Sequence, residues 1–170
     1  MSGKTNIVLV GMPGAGKSTL GVVLAKILNL GFVDTDLLLQ AHLGCTLQEY
    51  MDAHGAQALI EEEGKVLSQL DACNSVIATG GSAVYSPGGM RHLGVLGPIV
   101  YLQISHESLV ERLVDLDDRG VVMKGGASMS LRDLYEERVP LYERYADITV
   151  NVDGLSITAA ARRVASLVRS

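Results

Sequence analysis

The 170-residue sequence has no tryptophan and only two cysteines, Cys45 and Cys73. They form no C-x-x-C pair, which argues against a metal ribbon or a disulfide framework. Both are expected to be small buried apolar groups in a reducing cytoplasm. No lysine- and arginine-rich run occurs and the formal net charge is −5, so nucleic acid is not an expected partner. The apolar runs are short and broken by glycine or polar residues, and none is long enough to span a membrane. The first residues, MSGKTN, lack the basic, apolar and small-residue regions of a secretory signal, which points to the cytoplasm. What is present is 48% apolar and 19% charged. That is a globular composition, long enough for one domain with a real core, expected to span 1–170.

Apolar periodicity supplies the order of elements. Ile7–Val10 is a continuous apolar run, as in a strand buried on both faces. Ser18–Leu30 has apolar residues at helical spacing, with Gly31 as its expected stop. A second strand is expected over 31–36, then helical text to Leu70 with breaks near Gly44 and Gly55. Thr46 and Glu49 have the spacing of a capping box. Further strands are predicted over 75–79, 98–104 and 147–152, and further helices over 105–116, 131–145 and 157–168. Strands alternating with helices predict a three-layer α/β/α sandwich around a five-stranded parallel sheet.

Residues 11–18, GMPGAGKS, fit G-x-x-x-x-G-K-[ST], with a buried strand before them and a helix after. Gly14, Ala15 and Gly16 can turn backbone N–H groups toward a phosphate, and the helix start adds partial positive charge. Lys17 can reach the β- and γ-phosphates of ATP, and Ser18 can ligate Mg²⁺. Thr19 lies near the α-phosphate. Asp34 and Asp36 end the second strand at the edge that faces the ligand crevice in an open parallel sheet. On a strand they point the same way. Asp34 can then hold Mg²⁺ through water, while Asp36 accepts a proton from an attacking hydroxyl. Gly80 and Gly81 end the third strand at the same edge, where a ligand can approach the backbone. Other roles compete. Asp36 could cap the next helix, Arg112 and Lys124 could be solvated, and Arg138 could pair with Glu136 or Glu143. The Glu61–Glu63 run reads as a solvated helix face. His42, His54, His92 and His106 share no ligand spacing.

GMPGAGKST, FVDTD, VIATGG and EERVPLYERYADITV occur in an order that resembles the shikimate kinase family across nearly the whole chain. The resemblance implies a P-loop kinase fold with a moving lid, here about 117–130, and a substrate-binding helical region of about 36–70. It implies ATP-dependent phosphorylation of the 3-hydroxyl of shikimate by a monomer, in aromatic amino acid biosynthesis. Catalysis would rest on Lys17, Asp36 and Arg119. Arg112 would lie on the adenine. Asp36, Gly80, Gly81 and Arg138 would hold the substrate, and Ser18 and Asp34 the metal.

Two positions depart from the family pattern. Ile60 stands where a second carboxylate-binding arginine belongs, and Ser82 replaces the third glycine. No arginine lies between Gly31 and Gly81. The substrate is therefore either shikimate or another small hydroxylated molecule, neutral or carrying an amine. A nucleotide-binding regulator without transfer activity is the reading from another class. The presence of Asp36, Arg119 and Arg138 argues against it.

Overall fold

The computed structural model describes residues 6–114 and 129–169. Among them are β1 (Ile7–Val10), α1 (Lys17–Leu28), β2 (Gly31–Asp34), α2 (Thr35–Leu43), α3 (Leu47–His54), α4 (Ala56–Gln69) and β3 (Ser75–Ala78). There follow α5 (Pro87–Leu96), β4 (Ile99–Gln103), α6 (His106–Val114), α7 (Leu131–Tyr145), β5 (Ile148–Asn151) and α8 (Ile157–Val168). The five strands form one parallel sheet in the order β2-β3-β1-β4-β5. The lid expected over 117–130, with Arg119 and Lys124, lies almost wholly outside the described residues.

The strands sort by burial as their composition dictates. All residues of β1 and β3 are buried, as are the first four of β4, whereas the edge strands β2 and β5 are partly exposed. The connection from β1 to β2 runs toward one edge of the sheet, and that from β3 to β4 toward the other. Right-handed crossovers then place α1 and α5 on opposite faces. The chain therefore departs in opposite directions from the adjacent carboxyl ends of β1 and β3. This is a switch point, where open α/β sheets bind ligands.

The structure corrects several boundaries. Helix α1 ends at Asn29, whose left-handed backbone (φ 56°) closes the last turn, so Asn29 rather than Gly31 is its stop; Gly31 opens β2, as expected. The second strand stops at Asp34 rather than Asp36, because the Asp34 carboxylate accepts the Asp36 N–H at 3.0 Å and caps α2. Asp36 is thus a first-turn helix residue, and the alternation argument for its direction does not apply. Helix α5 and the short 3-10 turn Ala83–Tyr85 before it are absent from the sequence reading. Their signal was Ser86 as N-cap with Pro87 at the first helical position. Cys73 is exposed and Cys45 only half-buried, contrary to expectation. Cys73 sits in the turn before β3, beside left-handed Asn74 (φ 48°).

The amino end of the sheet is clipped by Asn6, a fully buried side chain. Its Nδ2 donates to the carbonyls of Ala72 (2.9 Å) and Leu96 (3.0 Å), and its Oδ1 accepts the Ser75 N–H (3.0 Å). One amide thereby joins the starts of β1 and β3 to the end of α5. Asn6→Ala removes two buried hydrogen bonds and one part-buried one from backbone groups, an expected loss of roughly 2–4 kcal/mol. At about 2–4 °C per kcal/mol for a chain of this size, the melting temperature should fall by roughly 5–15 °C. Calorimetry checks this.

Candidate active site

A cleft of about 300 Å³ opens at the switch point. One wall is the glycine loop after β1 and the first turn of α1. The other is built by α2, α4, the Thr79–Ser82 segment and α7.

The loop wall follows from its glycines. Gly16 adopts φ 92°, a backbone that disfavours a side chain, and it is the N-cap of α1. No side chain caps this helix and no acid lies in its first turn. Its leading N–H groups are therefore suited to an anion. Lys17 Nζ donates to the carbonyls of Gly11 (2.7 Å) and Met12 (2.9 Å). Burial lowers its pKa to about 8, although Asp36 and Asp34 pull the other way. Ser18 Oγ donates to Asp34 Oδ2 at 2.7 Å. Gly14, Gly16, Ser18 and Thr19 face the cleft. Ala15 is buried behind them, and its carbonyl accepts from Arg112 at 3.3 Å. Arg112 also reaches the Val152 carbonyl at 3.5 Å, which places it between the loop and the strand β5 exit.

The opposite wall gathers the remaining predicted residues. Asp36, Gly80, Gly81 and Arg138 all line the cleft. Burial raises the Asp36 pKa, opposed by the Lys17 ammonium and reinforced by Asp34. Arg138 is 1% exposed. Its Nε donates to the Tyr85 hydroxyl at 3.1 Å. That hydroxyl in turn donates to Glu137 at 2.6 Å, and the guanidinium lies 5.1 Å from the Tyr85 ring centre. Tyr142, on the same helix, donates to the Gly81 carbonyl at 2.6 Å. Gly81 has no room for a side chain, since a Cβ there would meet Pro13 at 2.8 Å and Arg138 at 2.9 Å.

The sequence favoured a solvated helix face for Glu63, although this residue also matches a family glutamate near the substrate helix. It is 3% exposed and lines the cleft, not a solvated face. Burial raises its pKa to about 7, against a hydrogen bond from the Ser82 hydroxyl. The signal was there: Leu59, Glu63 and Leu67 fall four apart on one buried stripe of α4. Glu62, by contrast, faces solvent, paired with Lys65 (2.6 Å) and His42 (3.1 Å). Tyr85 and Tyr142, which brace Arg138 and the glycine edge, carried no sequence signal beyond helical spacing.

An anion cradle on one wall and a buried acid beside a buried arginine on the other divide a transfer reaction between donor and acceptor. That division defines a phosphotransferase of the P-loop kinase class. The sequence model of the shikimate kinase family matches residues 13–169. A shikimate kinase of Thiobacillus denitrificans is 35% identical over 163 residues, covering 95% of this chain and 89% of the relative. One from Pseudomonas paraeruginosa is 40% identical over 149 residues, 87% of each chain. The shikimate kinase of Acinetobacter baumannii, solved in complex with shikimate, superposes with a TM-score of 0.87 at 30% identity. That superposition covers 97% of this chain and 93% of that one. The chain belongs to the shikimate kinase family, ATP-dependent phosphotransferases with an alcohol acceptor.

The charged form of Lys17 is the one that would hold a phosphate at this loop. With its pKa lowered to about 8 by burial, that form is lost as pH rises through this value. The kcat/KM for ATP should therefore fall above pH 8, approaching tenfold per pH unit. Bound triphosphate raises the lysine pKa again, so kcat should stay level over the same range. Steady-state kinetics between pH 6.5 and 9.5 checks both.

Proposed function

We propose that this chain transfers the γ-phosphoryl group of ATP to the 3-hydroxyl of shikimate. The observation that carries the reading is that buried Arg138 and Asp36 line the same cleft as the phosphate loop. A buried guanidinium at the acceptor end suits a carboxylate, which it can grip through two parallel hydrogen bonds. The nearby acid suits an alcohol. The loop amides and Lys17 hold the triphosphate, and Asp36 orients the attacking hydroxyl and takes its proton. Burial favours that role, because a raised carboxyl pKa makes Asp36 a better base. Arg119, beyond the described residues, is assigned to the transferring phosphate.

The donor set also fits Mg²⁺. The Ser18 hydroxyl and the Asp34 carboxylate lie in contact at the loop. They are two hard oxygens, which is what an ion that keeps its waters and phosphate oxygens requires. When bound, Mg²⁺ supplies charge neutralisation on the phosphate oxygens. The similarity to the structure in complex with shikimate supports the acceptor assignment.

Product formation from ATP and shikimate tests the reading directly. Wild-type protein that binds ATP but leaves millimolar shikimate unphosphorylated overturns it. Asp36→Asn should lower kcat by roughly 10²–10⁴-fold with little change in the KM for ATP. Arg138→Lys keeps a charge but loses the planar fork, and should raise the KM for shikimate by roughly 10- to 100-fold.

A further inference from the structure

Arg138 is held by a residue that does not itself line the cleft. Tyr85 follows the Gly80–Gly81 edge in the chain, at the end of the short turn Ala83–Tyr85. That turn is well anchored. Ala83 and Val84 are buried, and the Tyr85 and Ser86 N–H groups close it on the Ser82 and Ala83 carbonyls, each at 3.0 Å. From this base the Tyr85 side chain meets α7 at two consecutive residues. Its hydroxyl accepts from Arg138 Nε at 3.1 Å and donates to Glu137 Oε1 at 2.6 Å. Its ring centre lies 5.1 Å from the central carbon of the same guanidinium, within cation–π range.

These contacts fix what a long side chain would otherwise leave free. A guanidinium can turn about its last bonds, and each turn presents a different pair of N–H groups. A hydrogen bond at Nε together with a ring close to the same group selects one plane. Glu137 gives the tyrosine hydroxyl its direction: with the hydrogen held by the carboxylate, a lone pair is left toward Arg138. The Tyr142 hydroxyl also hydrogen-bonds Arg138 and donates to the Gly81 carbonyl, which ties the guanidinium to the glycine edge. Tyr142 is in turn stacked on Tyr101 of β4, ring centres 5.2 Å apart. With Nε turned to Tyr85, the arginine meets a ligand through its terminal nitrogens. Nη1 stands at the edge, 2.9 Å from where a Cβ on Gly81 would be.

We propose that Tyr85 is a positioning residue for the acceptor: its hydroxyl, aimed by Glu137, sets the plane of the Arg138 guanidinium so that the terminal nitrogens grip an anionic group end-on. This rests on the kinase reading above, in which that group is the acceptor's carboxylate. Tyr85 acts through Arg138 and not by touching the substrate. A two-point grip is sensitive to angle, because both hydrogen bonds weaken when the fork rotates out of the carboxylate plane. Loss of the tyrosine hydroxyl therefore loosens the hold on the acceptor. The phosphate loop on the other wall makes its contacts without Tyr85.

The test is a double-variant cycle read in steady-state kinetics. Tyr85→Phe keeps the ring and removes the hydroxyl. It should raise the KM for shikimate about tenfold, the worth of one charge-assisted hydrogen bond, with kcat and the KM for ATP within about threefold of wild type. Arg138→Lys has no planar fork for Tyr85 to orient. Adding Tyr85→Phe to it should therefore raise the shikimate KM by less than about twofold more. A merely structural tyrosine would multiply the KM by the same factor in both backgrounds and would move the KM for ATP with it. If Tyr85→Phe does not fold, Glu137→Ala probes the same contact, with an expected rise of about threefold in shikimate KM that again needs Arg138. An unchanged shikimate KM in the variant that folds, or equal factors in the two backgrounds, overturns the proposal and leaves the kinase reading standing. Failure of wild type to phosphorylate shikimate overturns both.

Discussion

A buried ammonium organises this site. Lys17 lies among the carbonyls of its own loop, with Asp36, Asp34 and Glu63 contributing negative charge and Arg138 opposing it. Charges removed from water persist only when partners and hydrogen bonds offset their desolvation. Each group in the cleft accordingly has its position set by another. Asp34 is fixed by the Asp36 amide and the Ser18 hydroxyl, Arg138 by Tyr85, and Glu63 by Ser82. The loop glycines and the Gly80–Gly81 edge are what allow these groups to come so close.

The sheet delivers the two walls without further instruction. Because β1 and β3 are neighbours whose connections diverge, the loop after one and the glycines after the other share one edge. The tie is tight: the Thr79 hydroxyl donates to the Leu9 carbonyl at 2.9 Å, joining the two strands just below the cleft. At the opposite pole Asn6 binds three segments. The protein thus separates what holds the sheet together from what reads the ligand.

Much of this was legible in the sequence, because periodicity and loop composition are local signals. The buried strands, the phosphate loop and helices 131–145 and 157–168 follow from residues close together in the chain. The parts not legible depend on competition between local options or on distant partners. Whether Asp34 continues a strand or caps a helix is decided by one side-chain hydrogen bond. Helix α5 was obscured by three glycines in ten residues, which weaken its propensity. Whether Arg138 pairs along its helix or turns inward depends on Tyr85, 53 residues away. Glu63 belongs to an acidic triplet, and only its place on the apolar stripe separates it from its neighbours.

Helix α1 has one more consequence. It starts at a glycine with no side chain over its first turn and no acid to offset its dipole. An anion bound there would serve as the missing cap. The helix packs on both β3 and α8, so a ligand that binds only the folded loop would stabilise the scaffold beyond its own site.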